Sequence, residues 1–238
     1  MSLLTIVQYA CGRMNLPVPS TAMGSVTDPQ VLQLIRILEE EGNDLARRGD
    51  WQGITFEALH TTVGTEDQGA MTAIATNSFR YIKNDTFWDR TNKLPIIGPL
   101  SDQEWQTRKG LDTTGPRYIF RIRGGKLLVN PVPTAGFSWA FEYISANWIL
   151  GADLVTYKQY FTLDTDTILL PEDLVLMGLR WRWKKEKGRE YAEDFATYEK
   201  QVVDAIGRDG GKPVLSMSQD IYRSRQPGVF VPDRSWAI

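Results

Sequence analysis

The side chains able to do chemistry are few, and their spacing does not favour it. There is one histidine, His60, and one cysteine, Cys11. A single histidine excludes motifs that need two, and a single cysteine excludes an internal disulfide and a multi-cysteine zinc site. Cys11 shares a three- and four-residue spacing with Leu3, Ile6, Val7, Ala10 and Met14, so it reads as a small buried hydrophobe and not a nucleophile. His60 has no second ligand or nucleophile near it in sequence and reads as structural. Asp164-Thr165-Asp166 resembles the start of a calcium loop but lacks the glycine and distal glutamate of that motif, so it reads as a turn before a helix. Gly207 to Gly211 runs into Lys212-Pro213, which excludes a phosphate-cradling loop. Glu57, Glu66, Asp67 and Glu142 remain candidates for the paired carboxylates of a glycoside hydrolase, whose partners are set by the fold and not by spacing. In that alternative, Trp88, Trp105, Trp139 and Trp148 would form a sugar-stacking platform. Nothing in the sequence calls for a cofactor or a metal.

The remaining chemical candidate is the run Arg180-Trp181-Arg182-Trp183-Lys184-Lys185, which has the charge and the aromatic faces to bind single-stranded nucleic acid. The chain as a whole carries 27 basic and 29 acidic residues, a net charge of -2, so no global positive field supports such binding. Charge order favours a structural account. Six of the ten residues from Arg180 to Arg189 are basic, whereas Glu190 to Phe195 hold three acids and no base. One continuous helix gains nothing from that order. Two helices broken near Gly188 place cations at the C-terminal end of the first and anions in the first turn of the second, each worth a few tenths of a kcal/mol up to about 1. Trp181, Trp183, Tyr191 and Phe195 are then packing residues, in the core or between subunits.

The elements that must carry these residues can be traced from both ends. The stripe from Leu3 to Met14 predicts a helix that stops before Pro17. A second helix is expected to open at Thr27-Asp28-Pro29-Gln30, with Gln30 closing a capping box from Thr27. Its stripe is Val31, Leu34, Ile35, Leu38, Leu45 and Ala46, and Gly49 is expected in the left-handed terminating position. From Trp51 the period changes to two, through Ile54, Phe56 and Ala58. Tyr118 to Arg123, Gly124-Gly125 and Lys126 to Asn130 read as a hairpin around a two-residue glycine turn. A further alternating run covers Phe137, Trp139, Phe141 and Tyr143, and Ser101 to Glu104 has the spacing that starts a short helix through Trp105. Helical periodicity returns after Pro171, and the last helix carries Tyr191, Phe195, Tyr198 and Val202, ending near Ile206 and Gly207.

The expected fold class is α+β: a four-helix cluster from both chain ends, an inserted, mostly antiparallel β unit, and an extended C-terminal arm. Residues 1–50 and 166–207 form the helical part, 51–165 the β-rich insertion and 208–238 the arm. At 238 residues, with 42% apolar and 24% charged, the chain has enough apolar material for a substantial core. No apolar run approaches the about 18 residues that span a bilayer, and Gln8 and Arg13 stand where a signal peptide would be apolar, so a soluble protein made in a reducing compartment is expected. The arm breaks structure at its start yet carries Val214, Leu215, Met217, Ile221, Tyr222, Val229, Phe230 and Trp236. Large apolar groups in a segment without clean periodicity must bury against a partner or against the domain itself; the partner is favoured.

Several recurring phrases carry a family resemblance. They are Ile6 to Leu16, the stretch Glu40-Glu41-Gly42-Asn43-Asp44-Leu45-Ala46-Arg47-Arg48, and Asn84-Asp85-Thr86-Phe87-Trp88-Asp89-Arg90. Gly98-Pro99-Leu100-Ser101 with Glu104-Trp105, Phe120-Arg121-Ile122-Arg123-Gly124-Gly125, and Leu179 to Lys185 complete the set. On these the chain resembles the head-to-tail adaptor proteins of tailed bacteriophages, the tail tubular protein A-like group, with the arm after Pro213 matching less clearly. The resemblance implies a structural protein without enzymatic activity. It implies a ring, a dodecamer, at the virion neck, with the portal protein above, tail nozzle or tail-completion proteins below, and double-stranded DNA passing through without sequence recognition. It also implies synthesis in the host bacterial cytoplasm and no membrane partner.

Overall fold

The computed structural model describes residues 1–24, 28–111 and 117–210. Within them the protein is mixed α+β, with six helices and antiparallel sheets. Helix α1 (Leu3–Met14) buries Leu3, Ile6, Val7, Ala10 and Cys11, and it ends at Asn15 in the left-handed conformation, φ 56°, ahead of Pro17. Helix α2 (Pro29–Arg48) buries all six stripe residues. Its cap differs from expectation. Pro29 takes the first helical position, so Gln30 is second and not the third residue that a capping box requires. Asp28 caps instead, accepting from the Gln30 amide at 2.9 Å, and Thr27 lies outside the described residues.

A single 3-10 turn at Gln52–Ile54 leads into the β strands. These begin with β1 (Thr55–Thr61), β2 (Asp67–Ala70), the one-turn α3 (Met71–Ile74), β3 (Phe79–Ile82), β4 (Trp88–Asp89) and β5 (Leu94–Pro95). Helix α4 (Asp102–Gly110) follows, opened by the reciprocal Ser101–Glu104 capping box and burying Trp105. Then come β6 (Ile119–Arg123), β7 (Lys126–Asn130), β8 (Ser138–Ser145), β9 (Ile149–Leu150), β10 (Tyr157–Lys158) and β11 (Thr167–Ile168). Strand β8 is the spine of the largest sheet: β1 lies along one side of it, β3 and β4 along the other, and β5 beyond β4. The turn between β6 and β7 needs positive φ at both central positions, and Gly124 (59°) and Gly125 (71°) supply it without a Cβ clash. Trp139, Phe141, Tyr143 and Ser145 are buried on one parity of β8; Ala140 and Ile144 are buried as well, because the strand is covered on both faces over part of its length.

Helix α5 (Glu172–Glu186) and helix α6 (Ala192–Arg208) form the helical hairpin that the charge order predicts, with Lys184 and Lys185 in the last turn of one and Glu193 and Asp194 in the first turn of the other. Helix α5 packs on α1, α2 and α6, and α1 touches α2. Gly49 departs from the left-handed geometry expected for it. It is extended, φ −157° and ψ 166°, where the chain passes under α6; a Cβ there would lie 3.0 Å from the Ile206 side chain.

Apolar side chains gather in two clusters. One joins the four long helices to Trp51, Ile54, Ile144, Trp148, Ile149, Phe161 and Ile168. The other fills the space around the two larger sheets, with Phe87, Phe120, Trp139 and Phe141 in edge-to-face or tilted contact. Among the described residues no helix is long and apolar enough to cross a membrane.

Candidate functional site

An acid interrupts the apolar stripe of α2. Leu34, Leu38 and Leu45 leave position 41 on the buried face, and Glu41 occupies it with no exposed surface. A carboxylate in that position costs several kcal/mol unless it is paired and hydrogen-bonded. The pairing comes from α5: the Arg182 guanidinium donates through Nε to Glu41 Oε2 at 2.6 Å, through Nη1 to Glu40 Oε1 at 2.6 Å and through Nη2 to Asp44 Oδ2 at 3.0 Å. The Tyr198 hydroxyl of α6 donates to Glu41 Oε1. Burial still dominates and holds the Glu41 carboxyl above its usual range, against the Tyr198 and Arg182 hydrogen bonds that oppose it. The Tyr198 hydroxyl is pushed up, first by burial and then by the negative Glu41 beside it. On the outer side Arg48 reaches Asp44 at 3.1 Å and Glu199 at 2.6 Å, so one ionic network ties α2 to α5 and α6.

The close approach that makes this possible needs two glycines. A Cβ on Gly178 would fall 2.1 Å from the Glu41 carboxyl carbon, and a Cβ on Gly42 would fall 2.2 Å from the Trp148 ring. Asn43, between them in sequence, accepts from Trp148 Nε1 at 3.1 Å and from Gln159 Nε2 at 3.0 Å. Two phrases far apart in the chain, Glu40 to Arg48 and Leu179 to Lys185, therefore meet as one packing unit.

That meeting accounts for the basic run. Arg182 is committed to three acids, Arg180 pairs with Asp194 at 3.3 Å, and Lys184 pairs with the same carboxylate. Trp181 and Trp183 are buried. The Trp181 ring lies edge-on to Phe195 at 4.9 Å and near Tyr191 and Tyr198, with Tyr191 and Phe195 each left 37% exposed. Neither tryptophan offers a free face for a base to stack on, and Lys185 is the exposed cation of the six-residue run's last turn.

The other candidates are similarly occupied. Glu57 and Glu142 stand opposite one another on β1 and β8, and Glu57 pairs with Arg90. Glu66 and Asp67 belong to the region of the β2-β7-β6 sheet, paired with Lys109 and Lys126, so the four carboxylates fall into two separate places, and only the cross-strand pair Glu57 and Glu142 shares a recess, with Trp88 and the Arg90 that Glu57 holds. The sugar-stacking platform does not form: Trp105, Trp139 and Trp148 are core residues with 1%, 0% and 0% exposure, because their ring area is spent filling the two clusters, and Trp88 alone keeps a partly open ring. His60 lies 3.2 Å from the Gln68 side-chain oxygen. Asp164 accepts from the amides of Ala22 and Met23, while buried Asp166 accepts from Thr162 and Leu163 amides and from Lys158 at 2.9 Å. Among the described residues no group of His, Cys, Asp or Glu could hold a metal ion. Val214, Leu215, Met217, Ile221, Tyr222, Val229, Phe230 and Trp236 lie outside the described residues.

Reading the sequence missed the Glu41–Arg182–Tyr198 network, although one sign was present: an acid at the position where the stripe of α2 requires an apolar residue. The match to known families covers this network and nearly all of the chain, since the SU10 adaptor protein model matches residues 1–226. The chain belongs to the SU10 adaptor family. Membership agrees with the phage head-to-tail adaptor resemblance carried by the phrases above. Among curated proteins nothing matches the chain. In this SU10-family protein, the two phrases richest in charge are thus used to hold helices together.

Proposed function

We propose that this SU10-family protein is a structural head-to-tail adaptor, a ring below the portal that joins capsid to tail at the virion neck and surrounds the DNA exit channel. The helical part, residues 1–50 with 166–207, forms a four-helix cluster that packs between neighbours in a ring of twelve. The β-rich part, 51–165, faces tail proteins, and the extended arm, 208–238, docks on the portal. The protein acts through contacts and not through a reaction. The observation that carries this reading, beyond family membership, is how many of the candidate side chains are already engaged: Glu57, Glu66 and Asp67 in ion pairs, Arg180, Arg182 and Lys184 of the basic run in ion pairs between helices, and three of the four candidate tryptophans in the core. A channel lining that must let DNA slide has no use for tight phosphate contacts, and a chain of net charge -2 whose basic run has three of its four cations already paired with acids suits that task.

Mixing the purified protein with the portal protein of its phage tests the reading. A stoichiometric complex by size-exclusion chromatography, with ring-shaped class averages in electron micrographs, is the expected result. Deletion of Val214 to Ile238 is expected to leave the melting of the remaining protein nearly unchanged and to abolish the complex. Absence of any complex, or a tight dimer that forms without the portal, refutes the adaptor assignment; a truncated protein that melts many degrees lower refutes the docking role of the arm.

A further inference from the structure

Among the described large apolar side chains, two adjacent ones are the most exposed: Leu154 at 71% and Val155 at 74%. They sit at the tip of the turn between β9 and β10, and the turn is built to keep them there. Leu154 is held at φ 59°, a region that a residue with a Cβ occupies only when its surroundings impose it. The surroundings are explicit. Asp153 accepts from the Val155 amide at 3.2 Å, the Thr156 amide at 3.0 Å and the Thr156 hydroxyl, and these bonds hold its carboxyl down at about 2. The Gly151 amide donates to Thr156 O at 2.8 Å, and the Leu154 amide to Gly151 O at 3.0 Å. The stem is fixed below by Asn147 donating to Tyr157 O and by the Lys158–Asp166 ion pair. The result is a preorganised apolar knob with a permanent negative charge at its base.

A recess with an apolar wall exists elsewhere on the same chain. A groove of about 400 Å³ lies between the second half of α1, α5 and the start of α6, with Tyr9, Met14, Leu176 and Met177 as its apolar wall. Its charged lining is balanced: Glu190, Glu193 and Asp194 lie on the α6 side, where Asp194 holds Arg180 and Lys184, and Arg13 stands apart at the α1 side of the rim, over the Tyr9 ring. The knob does not line this groove. The beginning of α1 is joined to β11 by the Ser2–Thr167 bridge, in the same small sheet that carries the knob, whereas the groove opens along the other end of that helix.

We propose that Leu154 and Val155 of one copy seat in the α1–α5–α6 groove of the next copy, with Asp153 against Arg13. Knob and groove are different patches, so the contact is heterologous and repeats from copy to copy, which is the geometry that closes rings. A two-residue knob buries far less than a stable isolated dimer requires, so single contacts stay weak and closure adds them together. The proposal rests on the ring reading above and assigns it a specific interface.

The test uses the full chain with the portal protein present. Leu154→Cys protein is mixed with Met177→Cys protein under mild oxidation; Cys11, buried in α1, does not compete. The expected product is a mixed disulfide that needs both variants, together with a ladder of covalent oligomers from the double variant. Leu154→Asp is expected to melt like the parent, since the side chain is exposed, and to lose ring formation. A portal complex without the mixed disulfide overturns this interface and leaves the adaptor reading standing. The mixed disulfide without a portal complex supports the interface and counts against the adaptor reading, and absence of both refutes both. Products linked only Leu154 to Leu154, or a groove cysteine captured by Val229→Cys of the C-terminal segment, also overturn the proposal.

Discussion

Replacing Arg182 by methionine isolates what the buried network contributes. Methionine keeps much of the side-chain volume, so the principal loss is the charge facing Glu41. The bonds to Glu40 and Asp44 involve carboxylates with 68% and 39% exposed side chains, which return to water at little cost. Glu41 cannot do so. Breaking one partner of a buried ion pair costs about 3–5 kcal/mol when the other must stay charged, but Glu41 has an escape, because it can take up a proton. For a carboxyl with an ordinary value of 4.5, protonation at 1.36 kcal/mol per pH unit costs about 3.4 kcal/mol at pH 7 and about 0.7 at pH 5. Burial has already raised Glu41 in the parent, so part of that ceiling is incurred before the substitution. The expected loss for Arg182→Met is therefore about 2–3 kcal/mol at pH 7, a fall in Tm of about 5–10 °C for a chain of this size. The sign follows from linkage: a carboxyl raised in the folded state contributes most at low pH and loses its contribution as pH rises through the raised value. The deficit of the variant is thus expected to shrink from pH 7 to pH 5, and Glu41→Gln in the Arg182→Met background to recover part of it. Chemical denaturation at both pH values, for the two single variants and the double, measures this. A deficit below about 1 kcal/mol, or one independent of pH and unrelieved by Glu41→Gln, refutes the account of the network.

Gly42→Ala is expected to destabilise by about 1–3 kcal/mol, read from thermal melts, because its new methyl group meets the Trp148 ring at 2.2 Å and both sides are fixed by packing. Trp181→Ala should cost about 3–5 kcal/mol as a buried ring inside an aromatic cluster, whereas Lys185→Gln should cost well under 1; a DNA affinity with a steep salt slope that Lys185→Gln removes would contradict the packing assignment of this run. Asp166 is buried, which by itself raises its carboxyl, but the Thr162 amide, Lys158 and the Leu163 amide outweigh burial and hold it below the ordinary 3.8. Its contribution is present above that value and lost as pH falls below it, so Asp166→Asn should lower stability at pH 7 and flatten the acid side of the stability profile measured by denaturant titration.

Much of the architecture was legible because it rests on local rules. The stripes of α1 and α2, the glycine turn at Gly124-Gly125, the Ser101–Glu104 box and the charge reversal around Gly188 each depend on neighbours a few residues away, and the sequence alone determined them. Its scarcity of histidine and cysteine also removed whole classes of chemistry before any fold was known. Where local rules competed with distant contacts, the structure decided. Gly49 is extended, with room for little more than a hydrogen beside Ile206, and Asp28 caps α2 because Pro29 shifts the frame by one residue. Whether four tryptophans formed a surface platform or filled a core was equally invisible in the sequence, since ring area drives burial in either setting and only the packing of strands on helices shows which face is covered. The pairing of Glu41 with Arg182 spans 141 positions, and no periodicity connects them. An isolated buried charge is too costly to stand alone, so the sequence marked Glu41 as needing a partner, and the crossing of α2, α5 and α6 supplied it.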